Sequence, residues 1–105
     1  MSAANPVQSR CDLHAPCVMK TFGTGVAADL TGVDAPRNAQ HLPCGVIVQG
    51  AGNFVFKDIN GVTTTIAMPA GLAPVWLPIA PAELLVGNTV ASTTVLWQVR
   101  LNAKL

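Results

Sequence analysis

The stretch FVFKDINGVTTTIA, residues 54–67, decides the fold class of this chain. Two runs of aromatic and β-branched residues flank Asn60-Gly61, and an Asn-Gly pair between such runs is the strongest short-range signal of a β-hairpin. A two-residue type I′ turn at this pair would place Val55 opposite Ile66. We therefore predict two antiparallel strands joined by a tight turn.

Further short runs along the chain have the same composition. They are rich in Val, Ile, Thr or aromatic residues and end at Gly, Pro or Asn, as strands separated by turns do. Pro74 and Pro78 interrupt one run, which is therefore expected to be an edge strand or an extended crossing. The predicted strands cover residues 18–22, 46–48, 54–59, 62–67, 72–80, 83–86 and 93–99. Because no stretch shows helical periodicity, we predict an all-β fold: a small antiparallel β-sandwich or barrel with an extended N-terminal arm.

The composition of the chain changes near Cys44. Residues 1–44 hold all three Cys, both His and six of the charged residues, of which the chain has six basic and five acidic. The chain has 105 residues, so a single domain is expected. We predict an N-terminal arm at residues 1–44 and a β body at residues 45–105. Such an arm either lies on a neighbouring subunit or forms a plain tail.

The β body carries very little charge. Between Cys44 and Gln98 the only charged residues are Lys57, Asp58 and Glu83, where an average domain would have about 14. A small body of this kind needs neighbours to cover much of its surface, so the feature indicates assembly. We expect the subunit contact in the charge-free run at residues 59–82 and an exposed tip at the hairpin.

Composition also argues against several classes of function. The six Lys and Arg are scattered, whereas nucleic-acid binding needs a cluster of them. Four prolines argue against a membrane-spanning helix in residues 59–82, namely Pro69, Pro74, Pro78 and Pro81. The first ten residues lack the apolar segment of a signal peptide, so synthesis in a cytoplasm is expected.

Cysteine and histidine form the most suggestive chemical pattern. Cys11-x2-His14-x2-Cys17 is followed by His41-x2-Cys44, and tetrahedral zinc sites often take their four ligands as two close pairs. One alternative is therefore a small zinc-stabilised binding module with Cys11, Cys17, His41 and Cys44 as ligands. The simpler interpretation is reduced thiols with no metal and no cofactor, because three cysteines cannot all pair within one chain.

The sequence offers no pattern of catalytic residues. None of the three serines lies in a Gly-x-Ser-x-Gly elbow, and the five acidic residues are scattered. We therefore predict that the chain is not an enzyme and assign no catalytic residue.

Two tryptophans are the large side chains of the body. Trp97 shares one face of its predicted strand with Val95 and Val99, which favours a place in the core. Trp76 lies between two prolines, where it could equally fill the core or anchor a partner. The interface candidates are Leu72, Pro74, Trp76, Leu77 and Pro78.

A series of short motifs runs in order through residues 44–97. It consists of VQGAGN at 48–53, NGVTTTI at 60–66, MPAG at 68–71, LPI at 77–79, VGNTVASTT at 86–94 and VLW at 95–97. In order and spacing the series resembles the head spike base family, small virion proteins of tailed phages and gene-transfer agents. Two features differ from the family pattern: Gln49 replaces a glycine, and residues 80–83 lack arginine.

The resemblance implies a structural virion protein of a tailed bacteriophage that decorates or caps the capsid as a symmetric oligomer. The partners it implies are other copies of the chain and the major capsid protein or a neighbouring virion protein, with a fibre as a further partner. The expected localisation is the virion. A tail, collar or baseplate adaptor has the same sequence features and stays open as an alternative.

Overall fold

The computed structural model describes residues 16–71 and 74–99, which contain eight β-strands and no helix. The strands are β1 (Cys17–Gly23), β2 (Ala28–Asp29), β3 (Gly45–Gln49), β4 (Gly52–Lys57), β5 (Thr63–Met68), β6 (Val75–Leu77), β7 (Glu83–Leu84) and β8 (Ser92–Gln98). Each overlaps one of the predicted strands, except for the two-residue β2. In this part of the chain no helix is present that could cross a membrane.

The strands form two four-stranded antiparallel sheets. Sheet A has the order β1-β8-β3-β6, and sheet B has the order β2-β7-β4-β5. The predicted all-β sandwich is confirmed. The run with Pro74 and Pro78 forms the short edge strand β6 of sheet A, as the two prolines indicated.

Residues 17–44 belong to the β body and not to a separate arm. Strand β1 pairs with β8 along its whole length, from Cys17 opposite Gln98 to Gly23 opposite Ser92. The same segment adds four side chains to the core, those of Phe22, Ala28, Leu30 and Ala39. The predicted boundary at Cys44 therefore needs correction, because local patterns cannot show that a strand near residue 20 pairs with one near residue 95. Residues 1–15 of the predicted arm lie outside the described residues.

The core lies between the two sheets. Every second side chain of the central strands points inward, and these side chains are almost fully buried. Sheet A contributes Val46, Val48, Val95 and Trp97, and sheet B contributes Phe54, Phe56, Met68 and Leu84. The rings of Phe54 and Phe56 stack with centroids 5.2 Å apart. Apolar burial of this kind is the main stabilising term in a domain of this size.

The hairpin is present, but its register differs by one residue from the prediction. Phe54 lies opposite Ile66, and Val55 lies opposite Thr65. The Asp58 N–H donates to the Val62 carbonyl at 3.0 Å, so the loop between this pair has three residues, 59–61. Asp58 also shapes the loop: its carbonyl accepts the Gly61 N–H at 3.0 Å, and its carboxylate accepts two further N–H groups, at 2.9 Å and 3.0 Å. Gly61 has a φ of 83°, so a type I turn is followed by a left-handed residue.

The left-handed conformation of Gly61 leads to a prediction about stability. Gly61→Ala is expected to lower the free energy of unfolding by ~1–2 kcal/mol, because an L-residue is strained in this conformation. Steric clash does not contribute, since a Cβ at Gly61 would meet nothing within 4 Å. Gly23→Ala is the matched control: its Cβ also meets nothing within 4 Å, and its φ is not in the positive region. Urea unfolding of both variants measures the difference, and equal stability would contradict the turn assignment.

Candidate interaction surface

The outer face of sheet A is the surface that turns away from the core. Because side chains alternate along a strand, the residues between the buried ones share this face. Two cross-strand rows run over it: Thr21, Thr94, Ile47 and Trp76 form one, and Met19, Leu96 and Gly45 form the other. The hydroxyl oxygens of Thr21 and Thr94 lie 2.9 Å apart and share a hydrogen bond.

Trp76 packs directly against the sheet because Gly45, which lies beneath it, has no side chain. A Cβ on Gly45 would collide with the six-membered ring of Trp76. The indole therefore lies across the glycine with one side against the sheet, and it stays 41% exposed. An aromatic ring fixed in this way offers a large contact area at a low cost in conformational entropy.

Apolar side chains extend across the face from Trp76, at one edge of sheet A, to Met19 at the other edge. Met19 is 61% exposed, while Leu96 and Ile47 are buried or half-buried between the two. Among the described residues no charged side chain belongs to the two rows. Lys20 is in β1 but lies on the other face: its ammonium group donates to the Asp34 carbonyl at 3.4 Å and lies 5.6 Å from the centre of the Phe22 ring. The two rows would offer a partner apolar and hydroxyl groups, and Gln49, exposed at the end of β3, adds an amide to the same face.

The structure separates the predicted interface residues. Pro74, Trp76 and Pro78 are exposed; Trp76 lies on the outer face of sheet A opposite Ile47, and the two prolines flank its strand. Leu77 points the other way and packs against the core. Leu72 lies outside the described residues. The charge-free run thus supplies only part of the surface.

Three large apolar residues of this face were not among the predicted interface residues: Met19, Ile47 and Leu96. Each lies in a predicted strand, and the alternation of that strand places it on the side opposite the core residues. Their place on one face with Trp76 depends on the order of strands in sheet A, which no local signal reveals.

The predicted place of Trp97 in the core is confirmed. Its side chain is 0% exposed, and its indole N–H donates to the Leu30 carbonyl at 3.1 Å. The two tryptophans therefore have separate roles, one inside the sandwich and one on its outer face.

The predicted zinc ligands are in different chemical states. Cys17 is exposed and free, His41 is exposed, and Cys44 is buried and disulfide-bonded. A disulfide sulfur does not offer the thiolate that zinc requires. Within residues 16–71 and 74–99 no three His, Cys, Asp or Glu side chains form a group that could hold a metal ion. Cys11 lies outside the described residues.

The disulfide at Cys44 also changes the expectation that all three cysteines are reduced thiols. Of the two described cysteines, Cys17 is a free thiol and Cys44 is not.

Comparisons with known proteins return no match: no family model, no curated protein and no solved structure is similar to this chain.

Proposed function

We propose that this chain is a non-enzymatic structural protein of a tailed-bacteriophage virion, which decorates or caps the capsid as a symmetric oligomer. The observation that carries the proposal is the outer face of sheet A, on which Trp76 and Met19 are exposed and none of the described residues is charged. The resemblance of residues 44–97 to the head spike base family directs the proposal to a virion. The partners would be further copies of the chain and the major capsid protein or a neighbouring virion protein, with a fibre as a further partner.

The chemistry of the face suits a permanent contact. Stable interfaces are more apolar than ordinary protein surface, and their centres are rich in aromatic residues and Met and poor in charge. Trp76 would act as the rigid anchor because the sheet already holds its ring over Gly45. Met19 would adapt to the partner, since its unbranched side chain fills irregular gaps.

A charge placed on this face tests the proposal. Trp76→Lys is expected to reduce the number of copies on purified particles at least tenfold, because a buried unpaired ammonium costs more than the ~1.4 kcal/mol that corresponds to that factor. The count is the ratio of this chain to the major capsid protein by quantitative mass spectrometry. The particles must be produced without the wild-type chain.

Val86→Lys is the matched control. Val86 is 72% exposed and lies in the turn after β7, away from the outer face of sheet A. This variant is expected to load onto particles like the wild type. Equal loading of the two variants would contradict the docking face, and absence of the wild-type chain from particles would contradict the virion role. A cryo-EM map of the particle then distinguishes a head position from a tail, collar or baseplate position.

A further inference from the structure

The two sheets have four edges, which differ in how well they are protected. Strands β2 and β6 are edges of two and three residues, and Pro74 and Pro78 flank β6. Short strands and prolines are common ways to prevent pairing with another chain. The other two edges, β1 and β5, have seven and six residues. Within the part of the chain that the structure describes, no strand pairs with the outer side of either one.

Strand β5 presents backbone groups to the open side at every second residue. The carbonyls of Val55 and Lys57 in β4 accept hydrogen bonds from Leu85 and Ala82, on the side of β7. The even-numbered residues of β4 therefore make the hydrogen bonds to β5, opposite the even-numbered residues of β5. It follows that Thr63, Thr65 and Ala67 direct their N–H and C=O groups away from the sheet. No charge and no proline interrupts β5.

Strand β1 also presents backbone N–H and C=O groups to its open side at every second residue. Val99 N–H donates to the Pro16 carbonyl, whereas the Leu96 carbonyl accepts from Cys44, on the side of β3. The odd-numbered residues of β8 therefore bond to the even-numbered residues of β1, including Lys20. Met19 and Thr21 are left with outward backbone groups.

The two open edges lie on opposite flanks of the sandwich. A connection of four residues, 24–27, joins β1 to β2, and Lys20 Nζ donates to the Asp34 carbonyl just beyond β2. Strand β1 therefore lies over the β2 end of sheet B. Strand β5 is at the other end of that sheet.

We infer that β5 of one copy pairs with β1 of the next copy, so that subunits join head to tail through continuous sheets. The inference rests on the proposed function, because it names the contact that builds the symmetric oligomer. Two different surfaces on opposite flanks generate a ring when the rotation closes. In such a ring both long edges of every copy are paired. Two-fold pairing of β5 with itself would leave each β1 edge open.

Proline variants test the pairing. Thr65→Pro and Thr21→Pro each remove an outward N–H that takes no part in the ladder of its own sheet, which is where an edge strand tolerates proline. Each variant alone is expected to have the mass of a single chain by light scattering, whereas the wild type forms a larger closed species. Thr65→Val keeps the N–H and is expected to assemble like the wild type.

Mixing the two proline variants is the decisive step. Thr65→Pro keeps an intact β1 edge and Thr21→Pro keeps an intact β5 edge, so an equimolar mixture is expected to form a 1:1 dimer. This dimer also demonstrates that both variants fold. Native mass spectrometry of one isotope-labelled and one unlabelled partner identifies it.

Other outcomes overturn the inference in distinguishable ways. A wild-type oligomer that Thr65→Pro leaves intact removes the edge pairing but not the proposed function. Dimers of Thr21→Pro alone indicate self-pairing of β5, and a mixture without 1:1 dimers also rejects the head-to-tail contact. A monomeric wild type removes both the pairing and the symmetric oligomer.

Discussion

Trp97→Ala is expected to lower the free energy of unfolding by ~3–5 kcal/mol, the largest effect of any single substitution considered for this chain. The side chain is 0% exposed and occupies the centre of the core, so its removal leaves a cavity. It also leaves the Leu30 carbonyl, buried in the core, without its indole donor. A domain of this size has only ~5–15 kcal/mol of stability, so the variant will be close to unfolded at 25 °C. Urea denaturation followed by circular dichroism measures the loss.

The other tryptophan is the matched control for this experiment. Trp76→Ala is expected to lose less stability than Trp97→Ala, because its ring is 41% exposed and its removal leaves no closed cavity. Trp97→Phe separates the two contributions at the core position, since it retains an aromatic ring and loses only the N–H donor and part of the volume. Equal losses for the two alanine variants would contradict the division into a core and a surface tryptophan.

Asn88 is expected to give the second-largest effect. Its side chain is 4% exposed and binds the backbone of Val55 twice: the amide oxygen accepts the Val55 N–H at 2.8 Å, and the amide nitrogen donates to the Val55 carbonyl at 2.9 Å. The neighbouring Thr89 also binds the backbone of Asn53 twice: its backbone N–H donates to the Asn53 carbonyl at 2.9 Å, and its hydroxyl oxygen accepts the Asn53 N–H at 2.7 Å. Strand β7 has only two residues and pairs with the end of β4, at Phe56 and Lys57. Asn88 and Thr89 supply hydrogen bonds to the preceding part of β4, at Asn53 and Val55.

Asn88→Asp tests this role without a change of shape. The substitution replaces the donor to the Val55 carbonyl by a second oxygen, so two oxygens face each other, although the carbonyl keeps the Leu85 N–H. We expect a loss of about 2–3 kcal/mol, from the lost hydrogen bond and the burial of a charged carboxylate. Asn88→Ala removes both bonds and is expected to lose at least as much. The control is Asn53→Asp, the same exchange at an exposed side chain. Thermal and urea unfolding compare the three variants, and wild-type stability of Asn88→Asp would contradict the assigned contacts.

Local patterns predicted most strands because strand formation depends on the residues within each run. The β-branched and aromatic runs, and the Gly and Pro that end them, were sufficient for β3, β4, β5 and β8. The register of the hairpin was not predictable in the same way, because Asn-Gly fits both a two-residue and a three-residue loop. The choice came from the Asp58 carboxylate, which binds two N–H groups of the loop and so favours the longer one.

The candidate surface was only partly predictable for a related reason. Trp76 was among the predicted interface residues, although its position between two prolines fitted the core equally well. Met19 and Leu96 were not among them, because they meet only after β1 pairs with β8 across most of the chain length. The role of Asn88 was hidden as well, because its bonds to Val55 exist only in the folded sandwich.

By itself the sequence determined the class of the fold, the positions of most strands and the low charge of the body. These properties depend on side-chain chemistry and on neighbours within a few residues. Only the tertiary structure decided that residues 17–44 belong to the sandwich, that Leu77 faces the core while Trp76 faces outward, and that β1 and β5 are open edges on opposite flanks. Pairings between distant segments set those features, and their free energy comes from the complete core rather than from any local run.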